Sequence, residues 1–289
     1  MFRSVLIPVD FSPDADCLLE FCAGLPGLGV ERAVLANVVD ASGMEGPVIA
    51  AKVDSVRTKV NRSARRIKDA GLEVEVRITT GEAAREIVLL AAQTQADAII
   101  MGSHGKRILD ELLVGSISDR VLGDSSVPVL LARYDLVRNN DAPATMLPEF
   151  PRKMLVPTDF SEHADRALDV ALDIAEAVPI CGIDRNEPCG ILLLHVIDRS
   201  VGEQGIVEAE LEADEQLAAR VARGDERGVN IMPLTAVGDV QRVIIDQVHD
   251  RRATGVVLGS RGANLFAEAF VGSTFRTVRR ASCPVIAVP

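Results

Sequence analysis

The chain has 289 residues, about twice the usual size of one domain, so its length predicts two folding units. Its 48% hydrophobic and 25% charged content is typical of a soluble globular protein, and a net charge of −11 without a basic run excludes nucleic acid as the main partner. No apolar stretch approaches the roughly 18 residues that span a bilayer, and the first apolar run is too short for a signal peptide, so we expect a cytoplasmic protein with no membrane partner.

Strand-like and helix-like segments alternate along the chain. The first half predicts strands at 5–10, 33–40, 73–79, 98–103 and 128–132, and the second half predicts them at 154–159, 190–198, 230–236, 255–260 and 284–288. Between strands the apolar spacing is that of a helix, as in Val53, Val56, Val60, Ala64 and Ile67, and again in Ile87, Leu90, Ala91 and Thr94. Nearly continuous apolar strands that alternate with helices predict a parallel sheet covered on both faces.

The two halves resemble one another in register. RSVLIPVDFSPDAD at 3–16 aligns with RKMLVPTDFSEHAD at 152–165, at an offset of 149. GSHGKRILDELLVGS at 102–116 aligns with GSRGANLFAEAFVGS at 259–273, at an offset of 157. Eight extra residues therefore lie between these two anchors in the second half, and we place them at 178–190.

Domain limits follow from the repeat. Each half closes on an apolar run that begins with proline, and between the halves lies a segment with prolines, asparagines and no periodic apolar pattern. We predict a first domain at 1–133, a linker at 134–151 and a second domain at 152–289.

The connections predict a doubly wound sheet in each half. Right-handed crossovers allow five parallel strands in the order 3-2-1-4-5, so that the winding reverses between strands one and four. Ligands of such folds bind outside the carboxyl ends of the strands at that reversal. The two most similar segments of the repeat follow strands one and four, which predicts a binding site there in each half.

A glycine motif of the form G-x2-G-x9-G-S follows strand four in both halves. Glycines after a strand let the backbone approach a phosphate, and the final Gly-Ser precedes a helical segment whose first amides are free to bind an anion. The alternative is that these glycines only end a strand and cap a helix, but the identical spacing in both halves favours phosphate binding. The residues are Gly102, Gly105, Gly115 and Ser116, and Gly259, Gly262, Gly272 and Ser273.

An aspartate follows strand one in each half, after the prolines Pro8 and Pro157. The carboxylates of Asp10 and Asp159 are suited to accept hydrogen bonds from ribose hydroxyls or an adenine amine. The alternative is an aspartate that only caps the turn before the helix. The serines two residues further on are expected to cap the helix, which leaves the aspartates for a ligand.

These segments together resemble the universal stress protein family in its ATP-binding branch. The resemblance rests on P-[VT]-D-F-S after strand one, NVVD and HVID at the end of strand two, and the glycine motif, and it covers both halves. It implies a Rossmann-like fold of the adenine nucleotide alpha hydrolase type with one ATP, ADP or AMP site per half. By that likeness Asp10, Val38, Asp159 and Val196 hold the adenosine end, and the glycine motifs hold the ribose and phosphates.

Other polar residues carry weaker signals. His104 and Arg261 lie inside the glycine motifs, where they are expected to contact phosphate, while Asn37 and His195 at equivalent strand ends are expected to be structural. A carboxylate beside bound ATP could hold Mg²⁺, but no spacing indicates a dedicated metal site. Cys181 and Cys189 flank a segment that a disulfide or a metal could close, although reduced thiols are the favoured interpretation.

Three classes of function stay open at this point. A nucleotide-binding regulatory protein is favoured, and the resemblance implies a role in stress. An ATPase or nucleotidyl transferase is disfavoured because no acid–base pair or Ser-His-Asp set is evident, so we assign no catalytic residue. A structural adaptor with vestigial glycine loops is the third class.

Pairing between halves and between chains is also expected. The last strands, PVLLA and PVIAV, are apolar edges that favour an intramolecular pseudo-dimer. Residues 47–70 carry seven Lys/Arg and two Asp, a net of +5, while 203–223 carry six Asp/Glu and two Arg, a net of −4. These helices either attract each other, within the chain or in a homodimer, or are simply two solvated faces.

Overall fold

The structure is a computed structural model that describes residues 2–12, 15–102, 116–132, 150–177, 190–260 and 280–289. The chain divides into two compact units, 1–148 and 149–289, and each is described by itself.

The first unit is a parallel α/β sheet. Its strands are β1 (Ser4–Pro8), β2 (Arg32–Val39), β3 (Glu73–Thr80), β4 (Ala98–Gly102) and β5 (Val129–Ala132). Its helices are α1 (Ala15–Cys22), α2 (Gly46–Asp69), α3 (Ala83–Gln93) and α4 (Ser116–Asp124), with a short 3₁₀ helix at Leu25–Leu28. The strand order is β3-β2-β1-β4-β5 and all pairings are parallel, which confirms the predicted order.

The second unit repeats this architecture. Its strands are β6 (Lys153–Thr158), β7 (Gly190–Ile197), β8 (Ile231–Val237), β9 (Gly255–Gly259) and β10 (Val285–Val288). Its helices are α5 (Glu162–Ala177), α6 (Gly202–Glu226) and α7 (Val240–Asp250), with 3₁₀ helices at Phe150–Arg152 and Arg199–Val201. The order β8-β7-β6-β9-β10 places its strands as in the first unit, so the doubly wound fold is confirmed in both halves.

The central strands are buried on both faces because helices cover the sheet. All five residues of β4 and of β9 are buried, which explains why the sequence shows continuous apolar runs there and no alternation. β3 and β8 are more exposed, whereas β5 and β10, which also end the strand order of their own units, are fully buried. Position at the end of the strand order therefore does not by itself decide how exposed a strand is.

The predicted helical stripe of the first unit lies on α2 and packs for only half of its length. Val60, Ala64 and Ile67 are buried, whereas Val53 and Val56 are half-exposed. The N-terminal half of α2 thus covers the sheet less closely than its C-terminal half. The charged residues of α2 and α6 do lie on long helices, but their mutual attraction stays a prediction. Among the described residues, no helix combines the length and the apolar character that crossing a membrane requires.

The predicted linker at 134–151 falls outside the described residues except for its last two. Phe150 and Pro151 are buried in the second unit, and the Phe150 carbonyl accepts a hydrogen bond from Thr254 Oγ1 at 2.9 Å. The Phe150 ring lies so close to Gly255 that a Cβ there would be 2.2 Å from the ring. The absence of a side chain at Gly255 is therefore what admits Phe150 to the core.

We predict that Gly255→Ala lowers the free energy of unfolding by about 1–3 kcal/mol, because the new methyl overpacks against the buried Phe150 ring. Chemical denaturation of the intact chain measures this change. Gly123→Ala is the matched control, since a Cβ at Gly123 in α4 meets nothing within 4 Å and alanine favours a helix. Equal stability of the two variants would contradict the packing argument.

Candidate functional site

The reversal of winding brings the carboxyl ends of two strands together in each unit. β1 pairs with β4 through Val5↔Ala98 and with β2, so the residues after β1 lie between the ends of β2 and β4. β6 stands in the same relation to β7 and β9 through Met154↔Gly255. The strand ends after which the two repeated segments follow therefore lie side by side in both units, at the reversal where a ligand is predicted.

The aspartates after β1 and β6 each close a tight turn. Asp10 Oδ1 accepts a hydrogen bond from Ser12 N at 2.9 Å, and Asp159 Oδ1 accepts one from Ser161 N at 3.1 Å. Both carboxyl side chains are half-buried, and among the described residues Oδ2 of neither accepts a hydrogen bond. The turn-capping alternative is thus present in the structure, and it leaves the second carboxylate oxygen for a ligand.

The sequence predicts that Ser12 and Ser161 cap the helices that follow them, and this prediction is confirmed for Ser161 alone. Ser161 Oγ accepts a hydrogen bond from Ala164 N at 3.2 Å, as an N-cap of α5 does. In the first unit, Ala15 N donates instead to the Ser12 carbonyl at 3.0 Å. The buried Ser12 hydroxyl has no hydrogen-bond partner among the described residues, so the N-cap prediction for Ser12 is wrong there.

A strained residue lies inside each turn. Phe11 has φ of 54° and Phe160 has φ of 63°, a left-handed conformation that costs free energy for a side chain with a Cβ. The strain occurs at the same position of the repeat, next to the aspartate. Such conformations persist where the surroundings hold them, so the contacts of these rings bear on the site.

Equivalent polar residues tie the first two strands of each unit together. Asn37 Nδ2 donates to the Val9 carbonyl at 2.6 Å, and the His195 ring, through Nδ1, bonds the Thr158 carbonyl at 2.9 Å. The predicted adenosine contacts, Val38 and Val196, are the next residues on β2 and β7, and both are half-exposed. The strand ends that would face a ligand are thus cross-linked by side chains.

His195 makes an aromatic contact that Asn37 does not make, although Asn37 is the more deeply buried of the two. Its ring stacks on Phe160 with centroids 4.4 Å apart and planes inclined by 22°. Burial lowers the pKa of His195 below its ordinary value, against the opposing effects of the Thr158 carbonyl and of the carboxylates Asp159 and Glu212. The imidazole is therefore neutral at neutral pH, and Nδ1 carries the proton that the carbonyl accepts.

The first glycine of each motif lies at the end of its strand. Gly102 ends β4, and its carbonyl accepts a hydrogen bond from Ser118 Oγ at 3.2 Å, which fixes the first turn of α4 beside the strand end. Ser116 is the exposed first residue of α4, as the anion-binding interpretation requires. A Cβ on Gly259 would lie 3.0 Å from the His163 carbonyl, so close packing of α5 also favours glycine there.

The predicted site residues fall into two groups, those that the structure describes and those that lie outside the described residues. The described part of the site holds Pro8, Asp10, Val38, Gly102, Ser116, Pro157, Asp159, Val196 and Gly259. The predictions for the remainder of the two motifs, and for the cysteine-flanked segment, lie outside the described residues: His104, Gly105, Gly115, Cys181, Cys189, Arg261, Gly262, Gly272 and Ser273.

Two further aspartates at the same edge were missed by the sequence reasoning. Asp40 Oδ1 accepts from Ser42 N at 2.9 Å after β2, and Asp198 Oδ1 accepts from Ser200 N at 2.8 Å after β7. Hydrogen bonds from these serines hold the pKa of each exposed carboxyl below its ordinary value. The signal was available, because Asp-x-Ser follows the first two strands of both halves.

Metal binding receives no support from a preformed ligand cluster. No three His, Cys, Asp or Glu side chains come together to hold a metal ion within the part of the chain that the structure describes.

Comparison with protein families identifies the chain by sequence. The profile of the universal stress protein family matches residues 1–133 and again residues 151–289. A universal stress protein of Methanocaldococcus jannaschii is 28% identical over 155 residues, which are 46% of this chain and 96% of that protein. A universal stress protein of Mycolicibacterium smegmatis is 26% identical over 303 residues, covering 98% of this chain and 96% of the other.

Comparison with solved structures supports the same fold. A universal stress protein from Archaeoglobus fulgidus superposes with a TM-score of 0.73 at 24% identity, covering 99% of this chain and 95% of that one. At 24% identity, this similarity shows that the two chains share a fold over almost their whole length.

We predict that His195→Asn, which copies Asn37 of the first unit, removes a pH dependence of stability. The lowered pKa of His195 means that its contribution is present above the unfolded pKa of about 6.5 and is lost as pH falls through the folded pKa. The melting temperatures of the variant and of the wild type are compared at about pH 7.5 and at about pH 5. The difference between them should shift in favour of the variant as the pH falls. A difference between the two proteins that does not change with pH would contradict a neutral, half-buried imidazole.

Proposed function

The chain belongs to the universal stress protein family, and we propose that each of its halves binds an adenine nucleotide, with ATP as the favoured ligand. The observation that carries the proposal is the duplicated turn after the first strand. It holds an aspartate with one uncommitted carboxylate oxygen beside the strand that ends in the glycine motif. Two copies of this arrangement at the reversal of the sheet support a binding role better than one copy would.

The two ends of a nucleotide match the two sides of this crevice. Oδ2 of Asp10 or Asp159 would accept a hydrogen bond from a ribose hydroxyl or an adenine amine, next to Val38 or Val196. The N-terminus of α4, which begins at Ser116, would receive a phosphate through its first backbone amides and positive dipole end. Residues within the glycine motifs, His104 and Arg261 among them, are proposed to complete the phosphate contacts.

Regulation fits the site better than catalysis. No acid–base pair is evident at the described strand ends, and the polar groups there, Asn37 and His195, are engaged by backbone carbonyls. We therefore propose a stress-response protein whose conformation or partners change with nucleotide occupancy. Magnesium, if it accompanies ATP, would be bound through the phosphates. Steady-state ATP turnover well above background would instead favour an enzyme.

The decisive first measurement is mass spectrometry of small molecules released from the gently purified protein. Adenine nucleotide at up to two equivalents per chain would support the proposal. Finding none, together with no binding by calorimetric titration, would favour an adaptor with vestigial glycine loops.

We predict that Gly115→Val or Gly272→Val abolishes nucleotide binding in its own half and leaves the fold intact, because the side chain fills the space of a phosphate. Ser116→Ala removes a hydrogen bond to a charged group and should weaken binding about ten- to a hundredfold. Calorimetry with the other half disabled measures both effects. Unchanged affinity in these variants would overturn the assignment of the phosphate site.

We also propose that the two halves form a pseudo-dimer through β5 and β10, the last strands in the order of their own units. Both strands are apolar, and unpaired strand edges favour pairing. Small-angle X-ray scattering from the intact chain should then show one compact particle with a single-peaked distance distribution. Two resolved peaks, as for independent domains on a flexible tether, would contradict this prediction.

A further inference from the structure

One buried arginine of the second unit is saturated with hydrogen bonds. Arg220, on α6, is 7% exposed, and its Nε and Nη2 atoms donate to the two carboxylate oxygens of Asp165 at 2.7 and 2.9 Å. Nη1 donates to the Gln216 carbonyl at 3.0 Å and to its side-chain oxygen at 2.9 Å, and Nη2 donates to the Phe160 carbonyl at 3.3 Å. A guanidinium has five N–H donors, and five acceptors surround this one.

One of those hydrogen bonds and a cation–π contact reach the strained turn of the candidate site. Phe160 is the left-handed residue between Asp159 and Ser161, and its carbonyl accepts from Arg220. The guanidinium carbon lies 4.9 Å from the centroid of the Phe160 ring, and the same ring stacks on His195. Backbone and ring of the strained residue are therefore both held, and Asp159 is adjacent to the residue that is held.

We propose that Arg220 is a positioning residue: it holds the Asp159–Ser161 turn in its binding conformation before a nucleotide arrives. The proposal rests on the proposed function, since it assumes that Asp159 contacts the nucleoside. Its physical basis is preorganisation, because a turn already held in place does not lose conformational freedom on binding. Arginine suits this role since its planar fork grips Asp165 while a remaining N–H reaches the turn.

No equivalent clamp is seen in the described part of the first unit. Arg66 pairs with Asp16 and Glu20 as Arg223 pairs with Asp165 and Asp169, so one helical turn earlier Ser63 of α2 corresponds to Arg220 of α6. Lys59 lies over the Phe11 ring, with its Nζ 5.8 Å from the ring centroid. The turn after β1 therefore has the same aspartate and the same strain with weaker support.

A purely structural role is the competing explanation, because Arg220 belongs to a row of ion pairs between α5 and α6. Arg223 pairs with Asp169, and Arg227 pairs with Asp173 and Glu176 at 2.6 Å each. Arg227, in the turn that directly follows α6, thus offers a control. Like Arg220 it pairs with carboxylates of α5, but no contact of Arg227 with the Asp159–Ser161 turn is seen among the described residues.

The first test measures binding with the other site disabled. In a Gly115→Val background, Arg220→Gln should weaken adenosine, AMP and ATP by the same factor of about ten, since the turn would contact the part that all three ligands share. Arg220→Lys keeps the charge but loses the fork, and should not rescue. Arg227→Gln should stay within about twofold of its parent.

The outcomes separate the two proposals. If the parent binds no adenine compound, the proposed function fails for the second unit. If the parent binds and Arg220→Gln binds equally well, the positioning role fails. Equal losses of affinity in Arg220→Gln and Arg227→Gln would overturn the positioning role, because both variants break ion pairs with α5 but only Arg220 contacts the turn. A loss of affinity confined to ATP would also overturn it, because it would place the effect at the phosphates.

A second test needs no variant and so does not depend on the folding of one. In the nucleotide-free wild type, amide hydrogen exchange at Ser161 should be at least about tenfold slower than at Ser12, although both amides donate to an aspartate. Saturating adenosine should slow exchange at Ser12 more than at Ser161, because only the first turn becomes ordered on binding. Equal exchange at the two serines without nucleotide would overturn the proposal.

Discussion

The turn that follows the first strand of each unit is the constraint on which the site depends. The chain must leave the sheet and enter a helix within a few residues, and it does so with a left-handed phenylalanine between an aspartate and a serine. The serine amide that would otherwise lack a partner is bonded by the aspartate, which fixes one carboxylate oxygen and orients the other. The strained turn therefore presents a carboxylate oxygen in a defined position at the edge of the sheet.

Parallel pairing then supplies the rest of the site. Because the first strand lies between the second and the fourth, its carboxyl end lies between the carboxyl ends of those two strands. Side-chain hydrogen bonds join these strand ends to one another and to the following helix. Asn37 and His195 cross-link the first two strands, and Ser118 ties the start of α4 to the end of β4. The rigidity of the crevice comes from hydrogen bonds between neighbouring strand ends, and burial of the strands keeps those ends in register.

Duplication has left the two units alike in fold and unlike in how the turn is supported. The second unit surrounds its strained phenylalanine with a stacked imidazole and a saturated guanidinium, while the ring contact seen for Phe11 in the described part of the first unit is a lysine 5.8 Å from its centroid. Half-exposed ion pairs such as those of Arg223 and Arg227 contribute little free energy, whereas the bidentate pair with Asp165 fixes the position of the buried Arg220 guanidinium. The two units therefore differ in the contacts that hold the turn.

Much of this protein was evident in the residues alone. The strands, their order and the two-fold repetition follow from apolar runs and matched motifs, because burial of a parallel sheet imposes a pattern along the chain itself. The aspartate turns are also local, since donor and acceptor lie two residues apart. The turns at Asp40 and Asp198 share the same Asp-x-Ser pattern, so the sequence contains the signal for them too. The cluster of Arg220, Phe160 and His195 was decided by the tertiary structure. The Arg220 side chain reaches the Phe160 carbonyl across 60 residues, and only the packing of α6 against α5 determines which residue of that helix faces the turn.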